Sequence, residues 1–262
     1  RRGILDSVEK DYEALQKDGA VKRYLNFNEV PIGKLPGTWY ILGRVNTTVN
    51  ELRMCAKDAG LYYGDNRGNR SFDIKQWAAI KGWTKISKNK KINKKEAEIM
   101  YKYIRELQDL SFRRDKFWQD LPDYQEYDFK GLKDWCGLDL PDESKDKPWW
   151  EILQRNFKPE QITYFIRLLK RYGARQLNAE PQIIIDTIHS VKGGEADNVL
   201  IYSKTNWPSA FRNKNISEKS DEKRVYYTGV TRAKNTLHIL STDYKYNYPI
   251  GSDYFVYLQE KK

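Results

Sequence analysis

The sequence predicts an α/β fold, a parallel sheet flanked by helices and interrupted by a mostly helical insertion. Three observations carry this expectation. Four short β-branched runs are apolar almost throughout: 38–45, 182–187, 198–203 and 236–241. Such runs fit strands covered on both faces, as in a parallel sheet. Helical patterns alternate with them, which is the order of an α/β domain. Between residues 71 and 176, by contrast, strand patterning nearly disappears.

Taken in order, Thr38-Trp39-Tyr40-Ile41-Leu42-Gly43-Arg44-Val45 reads as the first strand. A helix follows over 48–59, with Leu52, Cys55, Ala56 and Ala59 on one face and Gly60 as its stop. In the insertion, 94–110 has Ala97, Met100, Tyr101, Ile104 and Leu107 at helical spacing. The stretch 121–149, rich in Pro, Gly and Asp, reads as loops with short helices. A second insertion helix spans 159–172, with Pro159 near its first turn and Gly173 just past its end. The strands at 182–187 and 198–203 come next, then a helix over about 221–234 and the strand at 236–241. The domain assignment is therefore residues 1–70 with 177–262 for the α/β domain, and 71–176 for the insertion.

The charge balance points to a partner. A formal net charge of +11 favours a polyanion, because Lys or Arg at a phosphate releases condensed counterions. Nineteen Tyr, eight Trp and nine Phe tilt the choice from an acidic membrane to nucleic acid, where aromatic faces stack on bases. Seven lysines and no acid lie between Lys81 and Lys95, a solvated loop or a phosphate-contacting edge. No apolar run approaches the roughly 20 residues that cross a bilayer, so no membrane partner is expected. The chain begins Arg1-Arg2-Gly3-Ile4-Leu5-Asp6, without an initiator Met or a secretory signal, and reads as a cut or partial chain. Cys55 and Cys136 form no CxxC pair and only two histidines exist, so no metal site is expected. Reduced thiols in a cytoplasmic protein follow as the expectation.

Two segments carry chemistry. The first is Ile185-Asp186-Thr187-Ile188-His189-Ser190-Val191-Lys192-Gly193-Gly194-Glu195-Ala196-Asp197-Asn198-Val199, a strand, a small-residue loop and another strand. Its glycines permit close backbone approach, and Thr187, His189, Ser190 and Lys192 bring donors to a strand's carboxyl end. An anionic ligand is the natural guest, while Glu195 suits sugar hydroxyls. The second is Glu222-Lys223-Arg224-Val225-Tyr226-Tyr227-Thr228-Gly229-Val230-Thr231-Arg232-Ala233-Lys234, a helix whose Arg precedes a core strand. A guanidinium on such a base grips phosphate oxygens in a fork and can neutralise a transferring phosphoryl group.

Together the two segments resemble motifs V and VI of the superfamily 1 DNA helicases of the UvrD/Rep type, which read T-x-H-S-x-K-G-x-E and Y-V-G-x-T-R-A. The matching residues are Thr187, His189, Ser190, Lys192, Gly193 and Glu195, then Tyr227, Gly229, Thr231, Arg232 and Ala233. Tyr40-Ile41-Leu42-Gly43-Arg44-Val45-Asn46 resembles motif IV, and Gly60-Leu61-Tyr62-Tyr63 the turn after it. The resemblance spans about residues 38–63 and 182–241; between them only the plan of a helical insertion, the 2B subdomain of larger relatives, is shared.

The resemblance implies a second RecA-like motor domain of an ATP-dependent helicase. Arg44 and Arg232 would reach the γ-phosphate of ATP as catalytic residues, and Glu195 with Gly194 would complete the nucleotide site. Thr187, His189, Ser190, Lys192 and Asn46 would touch single-stranded DNA. The partners implied are single-stranded DNA, single-strand/duplex junctions and a first motor domain. ATP and Mg²⁺ would be held mainly by that first domain, because no G-x-x-x-x-G-K-[ST] loop and no D-E-x-x segment occurs here. Those motifs would precede residue 1, 8–24 would be a connector helix, and the chain alone would not turn over ATP. His-Ser-Val-Lys-Gly resembles the 3′-to-5′ branch more than the H-K-S-Q-G of the opposite branch. Two alternatives stand beside the motor: a non-catalytic nucleic-acid-binding module, and a subunit of a repair helicase–nuclease complex.

Overall fold

The computed structural model describes residues 20–104, 115–121, 125–204, 224–241, 247 and 250. Its contacts divide the chain into two units, Arg1–Ser71 with Leu168–Lys262, and Phe72–Arg167.

The first unit is built on five parallel strands: β1 (Ala20–Tyr24), β2 (Trp39–Gly43), and, after the second unit, the strands Ile183–Thr187, Ala196–Tyr202 and Ala233–Leu240. The last three are β5, β6 and β7, and the sheet order is β1-β7-β6-β2-β5. This is the α/β parallel sheet expected of a RecA-like domain. Period-two alternation sends Ile41, Ile185 and Leu200 to one face and Leu42, Val199 and Ile201 to the other. Both faces are covered, which explains why the strands read as unbroken apolar runs. Helix α1 (Asn46–Asp58) covers the first face with Val49, Leu52 and Ala56. A helix over 224–230 covers the second with Tyr226 and Val230.

Three local expectations need correction. Residues Ala20–Tyr24 are not helical but form β1, paired with β7. Lys22 and Arg23 are exposed and interrupt its apolarity, as is common on an edge strand, so the pattern concealed it. The rest of the expected connector, 8–19, lies outside the described residues. In α1, Cys55 is exposed, and Thr48 and Val49 take the buried places at the start of the face. The last expected helix is described over 224–230 only, because β7 already begins at Ala233 and Arg232 stands in the turn before it.

The second unit is mostly helical: α2 (Ile74–Ser87), α3 (Lys94–Tyr101), α4 (Asp115–Asp120), α5 (Phe129–Cys136), α6 (Trp149–Ile152) and the start of α7 (Pro159–Asn178), with a two-strand ladder of β3 (Ile92–Asn93) and β4 (Glu126–Tyr127). Helix α2 was not legible. It buries Gln76, Trp77, Ala79, Ile80, Trp83 and Ile86, which leaves little polar stripe, and its interior Gly82 argues against a helix. Asp73 starts it, accepting from the Lys75 amide at 2.7 Å. Helix α3 ends at Tyr101, and the expected continuation over 105–110 lies outside the described residues; Asn93 and Glu96 cap its start reciprocally, at 2.9 and 3.2 Å. Phe72, Trp77, Trp149, Phe157 and Phe165 pack as one aromatic group. The helix that opens α7 stops at Gly173 as expected, where the backbone leaves helical geometry (φ 69°, ψ 165°), and a second short helix follows it to Asn178.

Candidate functional site

The expected site residues all lie in the first unit, and they form two groups. At the carboxyl ends of β5 and β2 stand Thr187, His189, Ser190, Arg44 and Asn46. Thr187 ends β5, and the chain turns at once: the Thr187 carbonyl accepts the Ser190 amide (3.2 Å) and the Ser190 hydroxyl (2.8 Å). The Ser190 amide also reaches the Thr187 hydroxyl at 3.3 Å. Ile188, fully buried, ties this turn to β2 by donating its amide to the Gly43 carbonyl at 3.0 Å. Arg44 follows β2 and places Nη1 3.5 Å from Nε2 of His189, whose ring is exposed. Asn46 opens α1 and is exposed.

Residues 188–195 run from the carboxyl end of β5 to the amino end of β6. Val191 anchors the crossing among Ile201, Tyr226 and Val230, while Lys192 stays exposed. Gly193 takes φ +88°, a conformation L side chains rarely adopt. At Gly194 the constraint is space: a Cβ there would lie 2.5 Å from the Tyr40 hydroxyl.

The second group lies at the amino ends of β6 and β7. Arg232, half-buried, donates Nη1 to the Gly194 carbonyl, Nε to the Thr228 carbonyl and Nη2 to the Thr231 hydroxyl, each at 3.0 Å. The Arg232 carbonyl in turn accepts the Ala196 amide at 3.0 Å, so the chain just before β7 is locked to the start of β6. Glu195 is exposed, with Lys234 3.9 Å from its carboxylate, a separation worth little in solvent. Beside them the Thr38 amide and hydroxyl, at 2.7 and 2.9 Å, hold the Asp197 carboxyl below its usual range.

Arg44 and Arg232 are not brought together. Arg44 follows β2 at the carboxyl end of the sheet, whereas Arg232 precedes β7 at the amino end. The seven residues of β6 separate those ends, roughly 20 Å at ~3.3 Å per residue. In this arrangement the two guanidiniums do not meet one phosphate, contrary to the role the sequence assigns both. Arg44 belongs with the turn at Thr187–Ser190. Among the described residues no three of His, Cys, Asp and Glu gather as a cation site.

Sequence reasoning missed the loop after α1. Gly64 bridges to β5 through two backbone bonds of 2.9 Å, to the Ile183 carbonyl and from the Ile185 amide. Asp65 then closes a tight turn, accepting from the Arg67 amide, the Asn69 amide and the Asn69 side chain at 2.9–3.0 Å. Burial would raise its carboxyl, but these hydrogen bonds outweigh burial and hold it below the usual range. Asn66 emerges against the Thr187–Ser190 turn, and Asp65-Asn66-Arg67-Gly68-Asn69 was the available signal, a composition that favours side-chain-capped turns. In the second unit, Lys85 pairs with Glu96 at 2.6 Å and Lys94 donates to the Leu121 carbonyl at 2.6 Å, while Lys88, Lys90, Lys91 and Lys95 are exposed. No helix among the described residues is long and apolar enough to cross a membrane.

Comparison with known proteins covers the later of these residues, from Thr187 to Lys234. Residues 139–244 match the family described as the UvrD-like helicase C-terminal domain. A "Probable DNA helicase II homolog" of Mycoplasma pneumoniae (strain ATCC 29342 / M129 / Subtype 1) is 36% identical over 95 residues. That match takes in 34% of this chain and 13% of the relative, so the chain spans only a small part of the relative's length.

Proposed function

We propose that this chain, whose residues 139–244 match the UvrD-like helicase C-terminal domain family, is the second motor portion of an ATP-dependent DNA helicase and translocase. The observation that carries the reading is the segment 188–195. One end holds the donors of Thr187, His189 and Ser190, and the other is tied through the Gly194 carbonyl to the Arg232 guanidinium. In this reading a nucleotide event at Arg232 reaches the strand contact through that hydrogen bond and the crossing segment.

In this reading ATP is carried by a first RecA-like domain that has the phosphate loop absent from this sequence. Mg²⁺ would be held by that domain's carboxylates. Arg232 exchanges the Gly194 carbonyl for a γ-phosphate oxygen, a stronger, charge-assisted partner, and neutralises charge during phosphoryl transfer. Glu195 accepts hydrogen bonds from the ribose hydroxyls. Release of the Gly194 carbonyl frees the crossing segment, and the Thr187–Ser190 turn, with Arg44, Asn46 and Lys192, shifts its hold on the single-strand backbone. The exposed Lys88, Lys90, Lys91 and Lys95 supply phosphate contacts to duplex at a junction.

The proposed polarity is 3′-to-5′. Unwinding of tailed duplexes by the full-length protein tests both parts of the proposal. ATP-dependent unwinding from a 3′ tail is the expected result. Preference for a 5′ tail overturns the polarity, and no ATP-dependent unwinding or translocation on either substrate overturns the motor.

A further inference from the structure

The turn proposed to grip single-stranded DNA makes few bonds of its own beyond those between Thr187 and Ser190, yet its two ends are held by one outside residue. Asn66 donates its backbone amide to Asp186 Oδ2 at 3.1 Å, and Asp186 Oδ1 accepts the Thr187 amide at 2.7 Å. The same Asn66 donates its side-chain Nδ2 to the Ser190 carbonyl at 2.6 Å. A single residue therefore reaches the strand end just before the turn and the last carbonyl of the turn itself.

Asn66 is well placed to fix rather than follow. Asp65 locks the loop around it with three hydrogen bonds, and Gly64 docks the loop on β5. Arg53 of α1 adds two ties, to the Ile185 carbonyl at 3.2 Å and to Asp65 at 3.7 Å. Asn66 itself is exposed, so its side chain contributes little to the core. Its amide must then serve the turn more than the fold.

We propose that Asn66 is a positioning residue that holds the Thr187–Ser190 turn in the shape in which Thr187 and His189 meet a nucleic-acid backbone, with Asp186 as its relay. The assignment rests on the proposed nucleic-acid role of that turn. Asn66 does not itself contact the strand. Its effect passes through the Ser190 carbonyl, and removal of Nδ2 frees the end of the turn.

The test uses the 262-residue chain and fluorescein-labelled oligodeoxythymidine, with Asn66→Ala, His189→Ala and the double variant. Loss of one well-made hydrogen bond predicts that Asn66→Ala weakens binding about five- to tenfold. The melting temperature and the dependence of binding on salt stay unchanged, because no phosphate contact is removed. In the His189→Ala background the same change costs less than it does in the parent chain, since one of the two groups that Asn66 positions is gone. Hydrogen exchange rises across 187–191 in Asn66→Ala while that of 39–43 is unchanged. Additive losses in the double variant, or exchange at 187–191 that does not move, overturn the positioning role. If His189→Ala and Thr187→Ala leave binding unchanged, the nucleic-acid role of the turn fails instead, and the exchange measurement still decides whether Asn66 holds it.

Discussion

Acidification should loosen the sheet through His238, and the size of the effect follows from its surroundings. His238 sits in β7, fully buried, with its ring against Trp39 (4.9 Å between centroids) and Tyr24 (5.6 Å). Nδ1 lies 3.2 Å from the Tyr24 hydroxyl and Nε2 has no partner, so a proton on both nitrogens would bury an unanswered N–H. Burial, with Lys22 nearby, holds its pKa at about 4, against 6.5 for the free side chain. The folded state is therefore neutral where the unfolded chain has already taken up a proton. Stability is intact above 6.5 and is lost as pH falls from 6.5 towards 4. At about 1.4 kcal/mol per pKa unit the full loss is about 3 kcal/mol, and about 2 kcal/mol is gone at about pH 5. Urea unfolding of the chain and of His238→Phe, followed by Trp fluorescence at about pH 7.5 and about pH 5, isolates the histidine because other titrations cancel in the difference. His238→Phe should keep about 2 kcal/mol that the parent loses. Equal losses in both proteins would refute the assignment of a neutral buried imidazole.

Leu200, fully buried on the α1 face of β6, should cost about 2–5 kcal/mol when cut to Ala, because its neighbours cannot close the cavity; denaturant titration reads the loss directly. Gly194→Ala should destabilise by about 1–3 kcal/mol through the 2.5 Å approach to the Tyr40 hydroxyl. Tyr40→Phe in the same chain should recover most of that, since the next ring atom is 3.4 Å away, and a Tm series checks it. Replacing Lys88, Lys90 and Lys91 with Ala should make the logarithmic salt dependence of junction-DNA binding shallower by about 2–3; an unchanged slope would place these lysines away from phosphate.

The strands were legible because a sheet covered on both faces turns burial into an unbroken apolar run, and Ile41, Leu42, Leu200 and Ile201 record both faces at once. The order of those strands was not, because pairing β6 with β2 on one side and β7 on the other leaves no linear trace. Lys22 and Arg23 hid β1, and the nearly all-round burial of Trp77, Ile80 and Trp83 hid α2. The chemistry-bearing residues stood out by type, yet their grouping depends on topology. Glu195 is only eight positions after Thr187, but the crossing between β5 and β6 carries it to the other end of the sheet. Arg44 reads as a phosphate ligand until β2 places it beside His189. Asn66 has no motif; its role exists only because a distant loop folds against the Ser190 carbonyl.

A crossed pair of variants in the full-length protein separates the two ends most directly: Arg232→Ala and His189→Ala, each assayed for ATP hydrolysis and for single-stranded DNA affinity. Arg232→Ala should reduce hydrolysis by about a thousandfold or more with DNA affinity within about twofold. His189→Ala should weaken DNA binding and leave hydrolysis in the absence of DNA unchanged. If both variants depress both measurements to the same extent, the division into a nucleotide-facing and a strand-facing end is wrong.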